Sequence, residues 1–189
     1  SSDPDSSDAH TYSLVSGSGD TDNNSFTIDG SSLKIKASPD YETKSSYKIR
    51  LQTTDSSGET YSKDFTLSVN GLNESPSNIS LSSSSFNENI DAASTVATLS
   101  STDVDSSDTH TYALVSGSGD TDNNSFTIDG SSLKIKASPD YETKSSYSIR
   151  LQTTDSDGET YAKAFTLSVN DINDIKGSEG DDVILNTIQ

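Results

Sequence analysis

The chain has 189 residues, 28% of them hydrophobic, with no Trp, Met or Cys, and 12 Lys and Arg stand against 30 Asp and Glu for a net charge of −18. This length holds one or two domains with small cores of Val, Ile, Leu, Phe and Tyr, and the charge excludes nucleic acid as a partner, because phosphates demand basic patches. Without Cys there is neither a disulfide framework nor a thiolate metal site, and no 18-residue apolar run or leader peptide is visible.

Internal repetition organises the chain. Residues 3–70 and 103–170 align at an offset of 100 without a gap and differ only at positions 4, 9, 13, 48, 57, 62 and 64, so 61 of 68 positions match. Such a period is too long for a solenoid and suits tandem beads, each with its own core. The expected divisions are 1–74, 75–174 and a polar tail at 175–189.

The first block starts at the equivalent of residue 101, so it lacks counterparts of 79–99. It is expected to be a sandwich short of two strands at its N-terminus, with an open edge and an uncovered core. The eight residues 71–78 reach at most about 28 Å, short of the roughly 33 Å length of a ten-residue strand. Borrowing the missing strands from the second block of the same chain is therefore not expected, and exchange between chains is left open.

Next comes the junction 70–76, N-G-L-N-E-S-P, with Asp40-Tyr41-Glu42 before it, Asn73 and Glu74 within it and Asp103-Val104-Asp105 after it. Carboxylates gathered from three places invite a hard cation. Six of them about 5 Å apart repel by roughly 1 kcal/mol per pair in water and about 3 kcal/mol at an effective dielectric of 20. An all-protein acidic cage favours calcium, which takes six to eight oxygens flexibly, over magnesium, which keeps its waters.

In the second block, period-2 alternation predicts strands at 79–81 with Phe86, and at 95–99, 111–115, 125–129, 133–137, 146–155 and 160–170. Tyr147, Ile149 and Leu151, then Phe165, Leu167 and Val169, put every second side chain on one face. Seven short strands in a hundred residues suggest an antiparallel β-sandwich, and no stretch has a helical period. Asp20, Asp22, Asp29, Asp120, Asp122 and Asp129 sit among Gly and Asn and read as turn residues. His10 and His110, one per block with no partner motif, read as exposed and inert. No nucleophile elbow or distinct Ser, His and Asp set is present, so an enzyme is not expected.

The order of the short acidic motifs resembles the extracellular cadherin repeat, particularly the cadherin-like repeats of large bacterial surface and secreted proteins. The second block shows Glu88-Asn89, Asp103-Val104-Asp105, Asp140-Tyr141-Glu142, Asp155 and Asp171-Ile172-Asn173-Asp174; the first shows Asp3-Pro4-Asp5, Asp40-Tyr41-Glu42, Asp55 and Asn73-Glu74-Ser75-Pro76. The resemblance spans nearly all of 3–174 and implies tandem Greek-key, immunoglobulin-like β-sandwiches. It also implies a calcium cluster between repeats, drawn from Asp40, Glu42, Asn73, Glu74, the Ser75 carbonyl, Asp103, Asp105 and Asp155. Asp3, Asp5, Asp55, Glu88, Asp140, Glu142, Asp171, Asn173 and Asp174 would form half-sites. Three departures stand out: the first block has no equivalent of Glu88, Gly71 and Glu74 replace the Asp residues of the family's linker, and the second linker runs on to Ile175-Lys176.

The tail, Gly177 to Ile184, resembles one turn of an RTX calcium roll, which closes its ion sites only when copies stack. Two functions follow from the resemblance. One is a calcium-rigidified spacer or adhesion element outside the cell, meeting other copies of itself. The other is a calcium-dependent binder of cell-surface polysaccharide, for which Tyr12, Tyr41, Tyr61, Tyr112, Tyr141 and Tyr161 would be the aromatic platforms.

Overall fold

A computed structural model describes residues 9–172. The chain divides into two compact units, the first ending at Leu72 and the second beginning at Asn73.

The second unit shows what the repeat builds. Its strands are β6 (Asn78–Leu81), β7 (Ser85–Asn87), β8 (Thr95–Thr102), β9 (Thr111–Leu114), β10 (Phe126–Asp129), β11 (Ser132–Ile135), β12 (Ser146–Thr154) and β13 (Thr160–Asn170). They form two four-stranded sheets, ordered β10-β11-β8-β6 and β7-β13-β12-β9. Every pairing is antiparallel except that of β7 with β13. Only the β10–β11 and β12–β13 connections stay within a sheet, so the remaining connections cross between the layers, as in a Greek-key sandwich. The alternation read from the sequence is realised on β12, where Tyr147, Ile149, Leu151 and Thr153 point inward and are buried. At the centre, Phe126 meets Tyr147 edge-on with ring centroids 5.3 Å apart, and Phe86 lies 6.0 Å from Tyr147.

The first unit repeats the same strands with fewer partners. It has β1 (Thr11–Leu14), β2 (Phe26–Asp29), β3 (Ser32–Ile35), β4 (Ser46–Thr54) and β5 (Thr60–Ser68). These give a three-stranded sheet β1-β4-β5 and a two-stranded sheet β2-β3. Asp29 pairs with Ser32, leaving a two-residue loop whose Gly30 has φ +61°, the left-handed conformation that such tight hairpins require. Its counterpart Gly130 has φ +57°.

Equivalent side chains differ sharply in burial. Leu133 and Ile135 are 0% and 1% exposed, whereas Leu33 and Ile35 are 36% and 38% exposed. The sequences of β3 and β11 are identical, so the difference arises from what lies opposite: in the second unit β6, β7 and β8 supply Ile79, Phe86, Val96 and Leu99. The uncovered core expected of the first block is what the structure shows.

Two sequence readings need correction here. The chain is not wholly free of helix, since one 3₁₀ turn is present in each unit, Asn23–Ser25 and Asn123–Ser125. Asp22 and Asp122 are also more than turn residues. Asp122 accepts the Ser148 N–H at 2.7 Å, Asp22 accepts that of Lys48 at 2.7 Å, and each also pairs with a lysine, Lys144 and Lys44 respectively.

Candidate functional site

Acidic residues of the second unit gather where strands end. Asp103 is the first residue past β8 and Asp155 the first past β12, while the entering chain is tied to the same region by Ser77, whose N–H donates to the Thr102 carbonyl at 2.8 Å. Asn78 pairs with Thr102, so residues 73–77 run over these strand ends before β6 begins. The Asn73 amide then donates to Asp155 Oδ2 at 3.1 Å, and the Glu74 N–H donates to Asp105 Oδ2 at 2.8 Å. Thus Asn73, Glu74, Asp105 and Asp155 come together as the motif order implied; Ser75 is exposed nearby in sequence.

Asp155 is 6% exposed, and its Oδ1 accepts three backbone N–H groups, from Asp157 at 3.0 Å, Gly158 at 2.7 Å and Glu159 at 2.9 Å. Burial works against its charge, yet the Asn73 amide and these backbone N–H groups outweigh it and hold the carboxyl below its ordinary value. Asp155 is therefore a carboxylate held ionised in a nearly dry place.

Carboxylate oxygens of Asp103, Asp108 and Asp155 lie within 4.8 Å of one another. Asp108 escaped the sequence reading. Its Oδ2 is buried and has no hydrogen-bond partner, an arrangement that costs free energy unless a donor or cation faces it. The signal that would have found it is a third acid five residues after Asp103 in the same loop, closed by the Asp108 N–H on the Asp105 carbonyl at 3.0 Å. His110 corrects a second reading. Far from exposed, its side chain is largely buried and Nε2 lies 3.1 Å from Asp103 Oδ2.

A separate group occupies the region after β7. Glu88, 3% exposed, accepts the Tyr141 N–H at 2.9 Å on Oε2 and the Ile172 N–H at 2.6 Å on Oε1. Carboxylate oxygens of Glu88, Asp140 and Glu142 lie within 4.8 Å of one another. A backbone hydrogen bond favours the charged form of Glu142, but desolvation, the charges of Glu88 and Asp171 and the bond with Asp140 prevail, so its carboxyl sits above its ordinary value. Asp140 is held below its own by the Thr143 hydroxyl and N–H.

In the first unit Asp40 makes the matching bonds to Thr43, at 2.9 and 3.1 Å, and Glu42 is exposed. Asp55 accepts from Ser57 and Glu59, so it closes its loop as Asp155 does. Asp3, Asp5, Asn173, Asp174 and the tail 175–189 lie outside the described residues.

No protein family and no curated sequence matches the chain. Among solved structures it is similar to human protocadherin-24 EC1-2 in its second crystal form, with a TM-score of 0.67 and 18% identity over 89% of this chain and 85% of that one. PcdhgB3 EC1-4 gives a TM-score of 0.64 at 19% identity over 87% of this chain. Protocadherin gamma B2 extracellular cadherin domains 3-6 gives 0.63 at 18% over the same share. The chain spans 41% and 40% of the length of those last two proteins. Likeness at this identity establishes the fold: the units are cadherin-like β-sandwiches. No helix among the described residues is long and apolar enough to cross a membrane.

Proposed function

We propose that the chain is a calcium-binding, cadherin-like module serving as a spacer or adhesion element of an extracellular protein, of the kind carried by bacterial surface and secreted proteins. The observation that carries this reading is the buried, unpartnered Asp108 Oδ2 beside Asp103 and Asp155. Three carboxylates this close repel one another, and His110 reaches only Asp103. A divalent cation would satisfy all of them at once. The set is all oxygen, which suits a hard ion, and the absence of Cys leaves no soft ligand for a transition metal.

Within the second unit Asp103, Asp108 and Asp155 would hold calcium, with Asp105, Glu74 and the Ser75 carbonyl at its margin and Asn73 orienting Asp155. Glu88, Asp140, Glu142 and Asp171, with Asn173 and Asp174, would form a second group, and Asp40, Glu42 and Asp55 are the first unit's own acids for the same purpose. Fixing residues 73–77 is the mechanical result of the first site, because Asn73 and Glu74 belong to both the segment and the cage. A polysaccharide-binding role draws support from Tyr61, Tyr41 and Tyr141, which are exposed, whereas Tyr112 and Tyr161 pack against the core.

Calorimetric titration of the calcium-free chain tests the leading reading. Extracellular calcium modules bind at about 10⁻⁴ to 10⁻³ M, and binding in that range is expected. Asp105→Ala and Asp108→Asn should each weaken it more than Asp129→Ala, whose carboxylate is exposed and pairs only with Lys134 at 2.7 Å. Equal effects of all three would sink the assignment. Retention on insoluble polysaccharide, with and without calcium, separates the second role.

A further inference from the structure

The second unit displays what the strands of the first are shaped to hold. There, β8 pairs with the edge of β11, β7 pairs in parallel with residues 168–170 of β13, and Ile79, Phe86, Val96 and Leu99 enter the core. The receiving strands recur in the first unit: β2 and β3 are identical to β10 and β11, and β4 and β5 differ from their counterparts only at 48, 62 and 64. Among the described residues nothing pairs with the outer edge of β3 or extends the sheet beyond β5. A groove of about 440 Å³ opens there, lined by Phe26, Leu33, Ile35, Tyr47, Leu67 and Val69.

A polar atom marks the same vacancy independently. In the second unit Thr153 Oγ1 lies 2.7 Å from the Ser101 hydroxyl of β8. Its equivalent, Thr53 Oγ1, is buried with no partner. A buried hydroxyl left unpaired is costly, and the cost disappears when a partner arrives.

We propose that the first unit is an acceptor for an extended polypeptide segment with the residue pattern of 77–102, supplied by another chain and not already built into a repeat. Such a segment adds backbone to the open sheet edges, fills the groove with apolar side chains at the spacing of Ile79, Phe86, Val96 and Leu99, and brings a hydroxyl to Thr53. A second copy of this chain is a poor donor. The segment it gave up would open the same groove in its own second unit, with no net gain in buried surface.

The test uses the whole 189-residue chain and a fluorescein-labelled synthetic peptide of residues 77–102. Anisotropy should report one peptide per chain. Hydrogen exchange read by mass spectrometry should slow by about tenfold or more in fragments from 46–68 and stay unchanged in those from 146–168, which differ in mass at 48, 57, 62 and 64. Leu33→Asp in the chain, and separately Ile79→Asp in the peptide, should each weaken binding at least about tenfold by burying a carboxylate in the groove. The peptide variant leaves the acceptor untouched, so its failure to bind is not a folding defect. Absence of binding, protection appearing at 146–168 instead, or dimers of the chain alone with 46–68 already protected would each overturn the proposal.

Discussion

Asp22 shows how much one side chain can do beyond its place in a turn. The Lys44 ammonium and then the Lys48 N–H hold its carboxyl below the ordinary value of 3.8, which means the folded unit favours the charged form. Its contribution is fully present above that ordinary value and is lost as pH falls through the lowered one. Asp22→Asn should therefore lower the melting temperature of the first unit at neutral pH, and the gap between variant and parent should close in acid below pH 3.8. A gap that persists unchanged into strong acid would mean the charge is not what matters. Single residues were also where the sequence was hardest to read. The motif order pointed to Asp103, Asp105 and Asp155, but Asp108 and His110 matter because loop closure turns them toward Asp103, and no periodicity encodes a turn of that kind.

Strands were the most legible level. Alternation located every strand of the second unit to within a few residues, because each has one face on the core and one in water. Burial was less legible, since it depends on what the opposite layer supplies. Leu33 and Leu133 are the same residue on the same strand, and only Leu133 is fully enclosed. Leu133→Ala should cost about 2–5 kcal/mol, as for a large-to-small change in a closed core. Leu33→Ala should cost about 0.5 kcal/mol, in the manner of a surface change. Because the chain holds two units, a single unfolding curve blends them, so hydrogen exchange of fragments from 46–68 and 146–168 is the measurement that separates the effects. Equal losses would show that the first unit is enclosed in solution.

At the scale of the whole molecule, two nearly identical sequences lead to unequal stability. The first unit buries Phe26 and Ile49 but leaves its remaining apolar residues at least partly open, so it should lie well below the 5–15 kcal/mol typical of a domain. In calcium-free buffer, limited proteolysis should cut within 9–72 much faster than within 79–170. Calcium should slow cleavage at 73–77 as well, because the bound form alone gains about 2.7 kcal/mol at a hundredfold excess over Kd. Cleavage of the two units at equal rates would contradict the difference in core closure, and indifference of 73–77 to calcium would contradict the cage.

The identity of β2 and β3 with β10 and β11 also bears on how the chain reaches its fold. One segment, 77–102, faces two receivers that it cannot tell apart by chemistry. Connectivity decides between them: the segment leads directly into the second unit through the short loop 103–110, so its local concentration there is high. In a concentrated refolding solution that advantage shrinks, because neighbouring molecules offer vacant receivers of their own. Each capture leaves the donor with a vacancy that another molecule can fill, and head-to-tail capture of this sort does not close on itself. Kinetic partitioning between a solitary fold and an open-ended polymer is thus set by protein concentration at the moment of folding, and the repeat that gives the array its regularity is also the source of its misassembly.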